Sequence, residues 1–135
     1  QLPLFVQGGQ AKQQKAVLVS TCSAWELSMF DPLLLQMRAI YARPDGGSNF
    51  AGALLRPMAD GMKEMIKAGE TALVEGIFRA AREAGRQLVK DGMISEELEA
   101  RVSRELMPRD AYNKAAEMMM EEIRKAAERQ EKENI

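Results

Sequence analysis

The first strongly patterned segment of the chain is Lys15-Ala16-Val17-Leu18-Val19-Ser20-Thr21. A short, continuous apolar run rich in β-branched residues fits a strand buried on both faces, as in a parallel sheet. It ends in Thr21, Cys22, Ser23 and Ala24, which are small or polar. A helix is predicted next: Asp31 is placed to cap it and Pro32 falls at its first position, where proline is tolerated. Leu33, Met37 and Ile40 share one of its faces, with Leu34 and Tyr41 beside them. Pro44-Asp45-Gly46-Gly47-Ser48 stops it. A second strand runs from Asn49 to Arg56 and is closed by Pro57. Strand, helix and strand in this order make a parallel crossover unit.

Beyond Pro57 the periodicity is helical throughout. Met58 to Ala68 forms a short helix interrupted at Gly61 and ended by Gly69. From Glu70 to Lys90, Leu73, Ile77, Ala81, Ala84 and Leu88 recur at helical spacing, and Asp91-Gly92 is a C-terminal stop. Ser95 caps a further helix with Glu96 and Glu97 in its first turn, where the helix dipole favours anions. Its buried face is expected at Leu98, Val102 and Leu106, and Met107-Pro108 breaks it. Asp110 is predicted to cap the last helix, whose face is Tyr112, Ala116, Met119, Ile123 and Ala127. The charged tail from Arg129 to Asn134 is expected to fray.

These elements define an α/β chain with two strands and four to five helices. Residues 1–57 form a partial β-α-β unit, and 58–135 form a helical region of the same domain. Two parallel strands are too few for a stable open sheet, and the strand at Val17 is left with a long apolar edge. The opening Gln1-Leu2-Pro3-Leu4-Phe5-Val6 is an apolar stub with no cap or turn before it, followed by Gly8-Gly9. The chain is therefore expected to be a piece of something longer.

Composition then removes several functions. At 135 residues there is room for one core. With 19 basic and 20 acidic residues, nothing favours nucleic acid or an anionic membrane. No run approaches the length of a spanning helix, and a cytoplasmic location is expected. There is no histidine, which removes the usual general base and metal ligand, and hydrolysis through a histidine partner with it. The single cysteine, Cys22, cannot by itself anchor a metal, so no metal site is expected. Chemistry carried by an organic cofactor remains open.

Three segments carry a family resemblance. Val19-Ser20-Thr21-Cys22-Ser23-Ala24-Trp25-Glu26, with Phe30-Asp31-Pro32 after it, resembles the fourth strand and following loop of flavodoxin-like NAD(P)H-dependent FMN oxidoreductases. Phe50-Ala51-Gly52-Ala53-Leu54-Leu55-Arg56-Pro57 resembles their fifth strand. Ala84 to Gly92 with Ile94-Ser95-Glu96-Glu97 is similar to their C-terminal helical region. Two positions depart from the family pattern: Ser23 stands where a glycine is usual, and Ala24 where an aromatic is frequent. The resemblance implies the C-terminal part of a flavodoxin-like parallel sheet. It also implies a parent that binds FMN, takes hydride from NAD(P)H, and passes electrons to a quinone or similar acceptor. Thr21, Cys22, Ser23, Ala24, Trp25 and Glu26 would form the loop beside the flavin ring. The phosphate loop would precede Gln1, so this chain alone is expected to hold no cofactor and to be inactive.

Each candidate has a plainer reading. Cys22 is a redox residue or a small buried hydrophobe. Trp25 stacks on a ring or packs over the sheet end. Glu26 accepts a ligand hydrogen bond or is solvated. Arg56 faces the ligand edge or lies in solvent. Met118-Met119-Met120, with Met58, Met62 and Met65, form a binding groove, or else core or subunit contacts. Glu121 and Lys125 make an ordinary surface pair. The alternative to an oxidoreductase portion is a non-catalytic, helix-rich oligomerisation module, and in both cases a homo-oligomer is expected.

Overall fold

The structure is a computed structural model that describes residues 14–133. The apolar stub and glycine pair near the start, and Asn134, lie outside the described residues. The elements run β1 (Ala16–Thr21), a 3-10 turn (Leu27–Phe30), α1 (Asp31–Ile40), β2 (Phe50–Arg56), α2 (Ala59–Lys67), α3 (Thr71–Asp91), α4 (Glu96–Ser103) and α5 (Arg109–Glu133). β1 and β2 pair in parallel as a two-stranded sheet. The class is thus α/β, with two strands and five α-helices among the described residues.

Strand alternation distributes the core. Leu18, Ala53 and Leu55 point to the α1 side, where they meet Phe30, Leu34, Phe50 and Cys22. Val17 and Leu54 point to the other side, against Ala84 and Leu88 of α3, with Ile94 and Leu98. Met62 of α2 packs on Val74 and Ile77 of α3, joined by Leu106. The α1 face is only partly covered. Leu33, Leu34, Met37 and Tyr41 are half-buried, whereas Ile40, expected to share a face with Leu33 and Met37, is 62% exposed.

The two edges of the sheet are treated differently. Along β2 the register steps from Ala16 opposite Phe50 to Val17 opposite Gly52, so Ala51 is the extra residue of a bulge. Gly52 takes φ +147°, a conformation reserved for glycine. A Cβ there would stand 2.8 Å from Ile94 Cβ and 2.9 Å from Glu99 Oε1. The bulge lets the Ile94 amide donate to the Ala51 carbonyl at 2.8 Å, and the Glu99 carboxylate accepts from the Ala53 amide at 2.7 Å. The outer edge of β2 is thereby closed by side chain and loop. β1 has no such cover among the described residues. Its even-numbered amides turn toward β2, as those of Ala16 and Cys22 show, so those of Val17, Val19 and Thr21 face outward. Val19 is 71% exposed.

Several boundaries differ from expectation. Asp31 is the first residue of α1 rather than its cap, because the 3-10 turn runs straight into the helix. α2 passes through Gly61 without a break. On α3 the buried residues are Val74, Ile77, Ala80 and Ala84, while Leu73, Ala81 and Leu88 flank them. Small alanines mark the centre of that face because the helix lies close on its neighbours. Ser95 caps α4 as predicted, accepting from the Leu98 amide. That helix stops at Ser103, short of Leu106. Asp110 lies in the first turn of α5 instead of capping it. α5 buries none of its residues and is helical through Arg129 to Glu133.

Candidate functional site at the carboxyl ends of the strands

The loop from Cys22 to Glu26 leaves β1 at the carboxyl end of the sheet, beside the start of α2. Its carbonyls are used in folding: the Met58 amide donates to Ala24 at 3.0 Å, and the Ala59 amide to Cys22 at 3.0 Å. These bonds pin the loop to the segment leaving β2. The strain falls on Met58, the one described non-glycine residue with a left-handed backbone, at φ +52°. It is buried and precedes α2 directly. Such a conformation costs on the order of 1–2 kcal/mol for a residue with a Cβ. The loop therefore turns without a left-handed residue at Ser23, the position where a glycine is usual in the resembling family.

Most side chains of the loop are committed to the protein. The Cys22 thiol lies 3.7 Å from the Ala24 carbonyl and packs on the Phe30–Leu55 cluster, half-buried. The Ser23 hydroxyl donates to Asp60 Oδ2 at 2.8 Å. The Trp25 indole N–H donates to the Met107 carbonyl at 3.0 Å, and Arg109 lies over its ring 5.6 Å from the centroid. Arg109 also donates to Glu26 at 3.2 Å. Trp25 and Glu26 thus fasten the loop to the beginning of α5. The amides of Ser23, Ala24 and Trp25 donate to no described residue. This leaves three consecutive donors at the strand ends.

Arg56 is neither solvated nor aimed at a ligand. It is buried, and its Nε, Nη1 and Nη2 donate to the carbonyls of Pro57, Val102 and Arg104 at 2.6, 2.6 and 2.7 Å. Two of these carbonyls belong to the end of α4, whose partial negative charge a cation complements. The guanidinium takes up those carbonyls where the helix would otherwise continue, which fits the stop at Ser103. Burial lowers its pKa from the ordinary value, and the neighbouring Cys22 opposes that shift.

A cleft of about 210 Å³ opens beside this loop, lined by Trp25, Leu27, Met58, Arg104 and Leu106 among others. Sequence reasoning singled out Trp25, and Met58 only among the groove or core methionines, but it did not connect Met58, the Met107 carbonyl or Arg109 with this loop. Nothing local marks a backbone carbonyl such as that of Met107 as a partner 82 residues away. Thr21, the first of the six predicted loop residues, ends β1 with its side chain on the α3 side and exposed. The described residues contain no group of three or more His, Cys, Asp or Glu able to hold a metal, and no helix long and apolar enough to cross a membrane. Comparison of the chain with protein-family models, with curated proteins and with solved structures gave no match.

Proposed function

We propose that this chain is the C-terminal portion of a flavodoxin-like, FMN-dependent NAD(P)H oxidoreductase acting in the cytoplasm. The observation that carries the reading is the asymmetry of the sheet. β2 is sealed by Ile94 and Glu99, and β1 is bare and apolar among the described residues, so further strands are to be added beside β1. In open α/β sheets ligands bind beyond the carboxyl ends of the strands. The loop Thr21–Glu26 leaves β1 at that end, one strand in from the sealed edge.

In this reading the loop flanks the ring of the flavin rather than its phosphate. The consecutive amides of Ser23, Ala24 and Trp25 suit the carbonyl and nitrogen edge of an isoalloxazine. The cradle for the phosphate belongs to the loop expected upstream. FMN, when bound, would supply hydride acceptance from NAD(P)H and transfer to a quinone or similar acceptor. The chain's own part is to hold the ring edge with backbone donors, while Trp25 and Met58 keep the loop in place and shield one side from water.

The test is the full-length gene product, purified and examined for visible flavin absorbance and for oxidation of NADH and NADPH with a quinone acceptor. A yellow protein with that activity is expected. A colourless full-length protein that neither takes up added FMN nor consumes either nucleotide would refute the reading. An upstream sequence without a strand and a Ser/Thr/Gly-rich loop would do the same.

A further inference from the structure

α5 stands apart from the rest of the fold. Its first turn is tied down through Arg109, and beyond it no residue is buried. Helical spacing places Tyr112, Ala116, Met119, Met120, Ile123 and Ala127 in one stripe. Met119, Met120 and Ile123 are 62%, 65% and 55% exposed. An amphipathic helix draws most of its stability from packing its apolar face. The ion pairs from Glu121 to Arg124 and Lys125 add only a few tenths of a kcal/mol each.

The charges beside the stripe indicate what covers it. Glu122 and Arg129 lie seven residues apart on one flank, and neither forms an ion pair among the described residues. In a parallel, in-register pair of α5 helices, Glu122 would meet the partner's Ala127, and no charge would be matched. In an antiparallel pair with its two-fold axis near Ile123–Ala126, Glu122 meets the partner's Arg129, and symmetry makes the contact twice. The same register sets Ile123 over the partner's Ala126 and Met120 over the partner's Ala127, large side chains against small ones. We infer that α5 is a self-association helix that pairs antiparallel with α5 of a second copy of this chain. The inference is independent of the flavin reading, since it uses no residue of the loop at the strand ends.

The overlap is short, so the dimer is weak, with a dissociation constant on the order of micromolar. Sedimentation velocity on the whole chain across micromolar concentrations reads it directly. Reversing one charge sets like charges opposite each other, so Glu122→Arg alone and Arg129→Glu alone should each weaken association about tenfold. Both sites are exposed, so the single variants keep their helix content by circular dichroism. The double variant Glu122→Arg/Arg129→Glu should return to within about threefold of the parent. A monomer at every concentration overturns the inference. A dimer indifferent to the single reversals, as pairing through the β1 edge would give, overturns it too. So does a double variant that fails to recover.

Discussion

Replacing Gly52 by alanine tests whether the bulge in β2 is what seals that edge. Two costs arise at once. The backbone must hold φ +147° with a Cβ present, which costs on the order of 1–3 kcal/mol. The new methyl also stands 2.8 Å from Ile94 Cβ and 2.9 Å from Glu99 Oε1, and neither neighbour is free to move. Ile94 is buried and its amide is bonded to Ala51, while Glu99 is bonded to the Ala53 amide. Overpacking of this kind costs about 1–3 kcal/mol more. The sum, on the order of 2–6 kcal/mol, is a large part of the roughly 5–15 kcal/mol that stabilises an ordinary domain. Gly92→Ala is the control, because Gly92 also has positive φ, at +75°, but nothing within 4 Å of its Cβ position. Urea unfolding followed by circular dichroism and by the fluorescence of Trp25 measures both variants. With a denaturant slope of about 2 kcal/mol per molar, the Gly52→Ala midpoint should fall by about 1–3 M. Gly92→Ala should lose about 1 kcal/mol, the strain cost without the clash. Equal midpoints for the two variants would refute the account of the sealed edge.

Three further outcomes follow from the same contacts. Glu99→Ala leaves the part-buried Ala53 amide without an acceptor and should cost about 1–3 kcal/mol in the same urea experiment. Glu99→Gln, which keeps an oxygen there, should cost clearly less. Arg56→Lys replaces three donors in a fixed fork by one ammonium and should destabilise by about 1–3 kcal/mol. In that variant hydrogen exchange should quicken first at the end of α4. The Asp45 carboxyl is held below its ordinary pKa of 3.8 by the Gly47 amide and then by Arg43. Because the folded value is the lower one, the order that Asp45 gives to the turn is present above the ordinary carboxylate range. It is lost as pH falls through the folded value. Carboxyl-carbon NMR should show Asp45 titrating below 3.8, and Asp45→Asn should abolish the pH dependence of the Gly47 amide signal.

The element pattern of this protein was legible without coordinates because it depends on local periodicity and on a few strong punctuation marks. The continuous run Ala16–Thr21, the Pro44–Ser48 turn, the stop at Gly92 and the cap at Ser95 each act within one turn or strand, and each falls where predicted. Pairing, edge closure and helix ends are long-range events and left no such trace. Arg56 was read as facing a ligand edge or lying in solvent, and it does neither, because nothing near it in sequence reveals that carbonyls 46 and 48 positions away, at the end of α4, would surround it. The donors of Trp25 and Ser23 were likewise spent on distant partners, Met107 and Asp60. Gly52 reads in sequence simply as part of the second strand, and only its approach to Ile94 and Glu99 reveals a bulge that shuts one side of the sheet. Periodicity reports which face of a helix is apolar, but not whether anything covers it. The stripe on α5 was therefore legible as a stripe serving core or subunit contact, and within one protomer it is not core, since none of its residues is buried. Which apolar surfaces are covered depends on the whole chain path, because burial belongs to pairs of elements and no single segment encodes it.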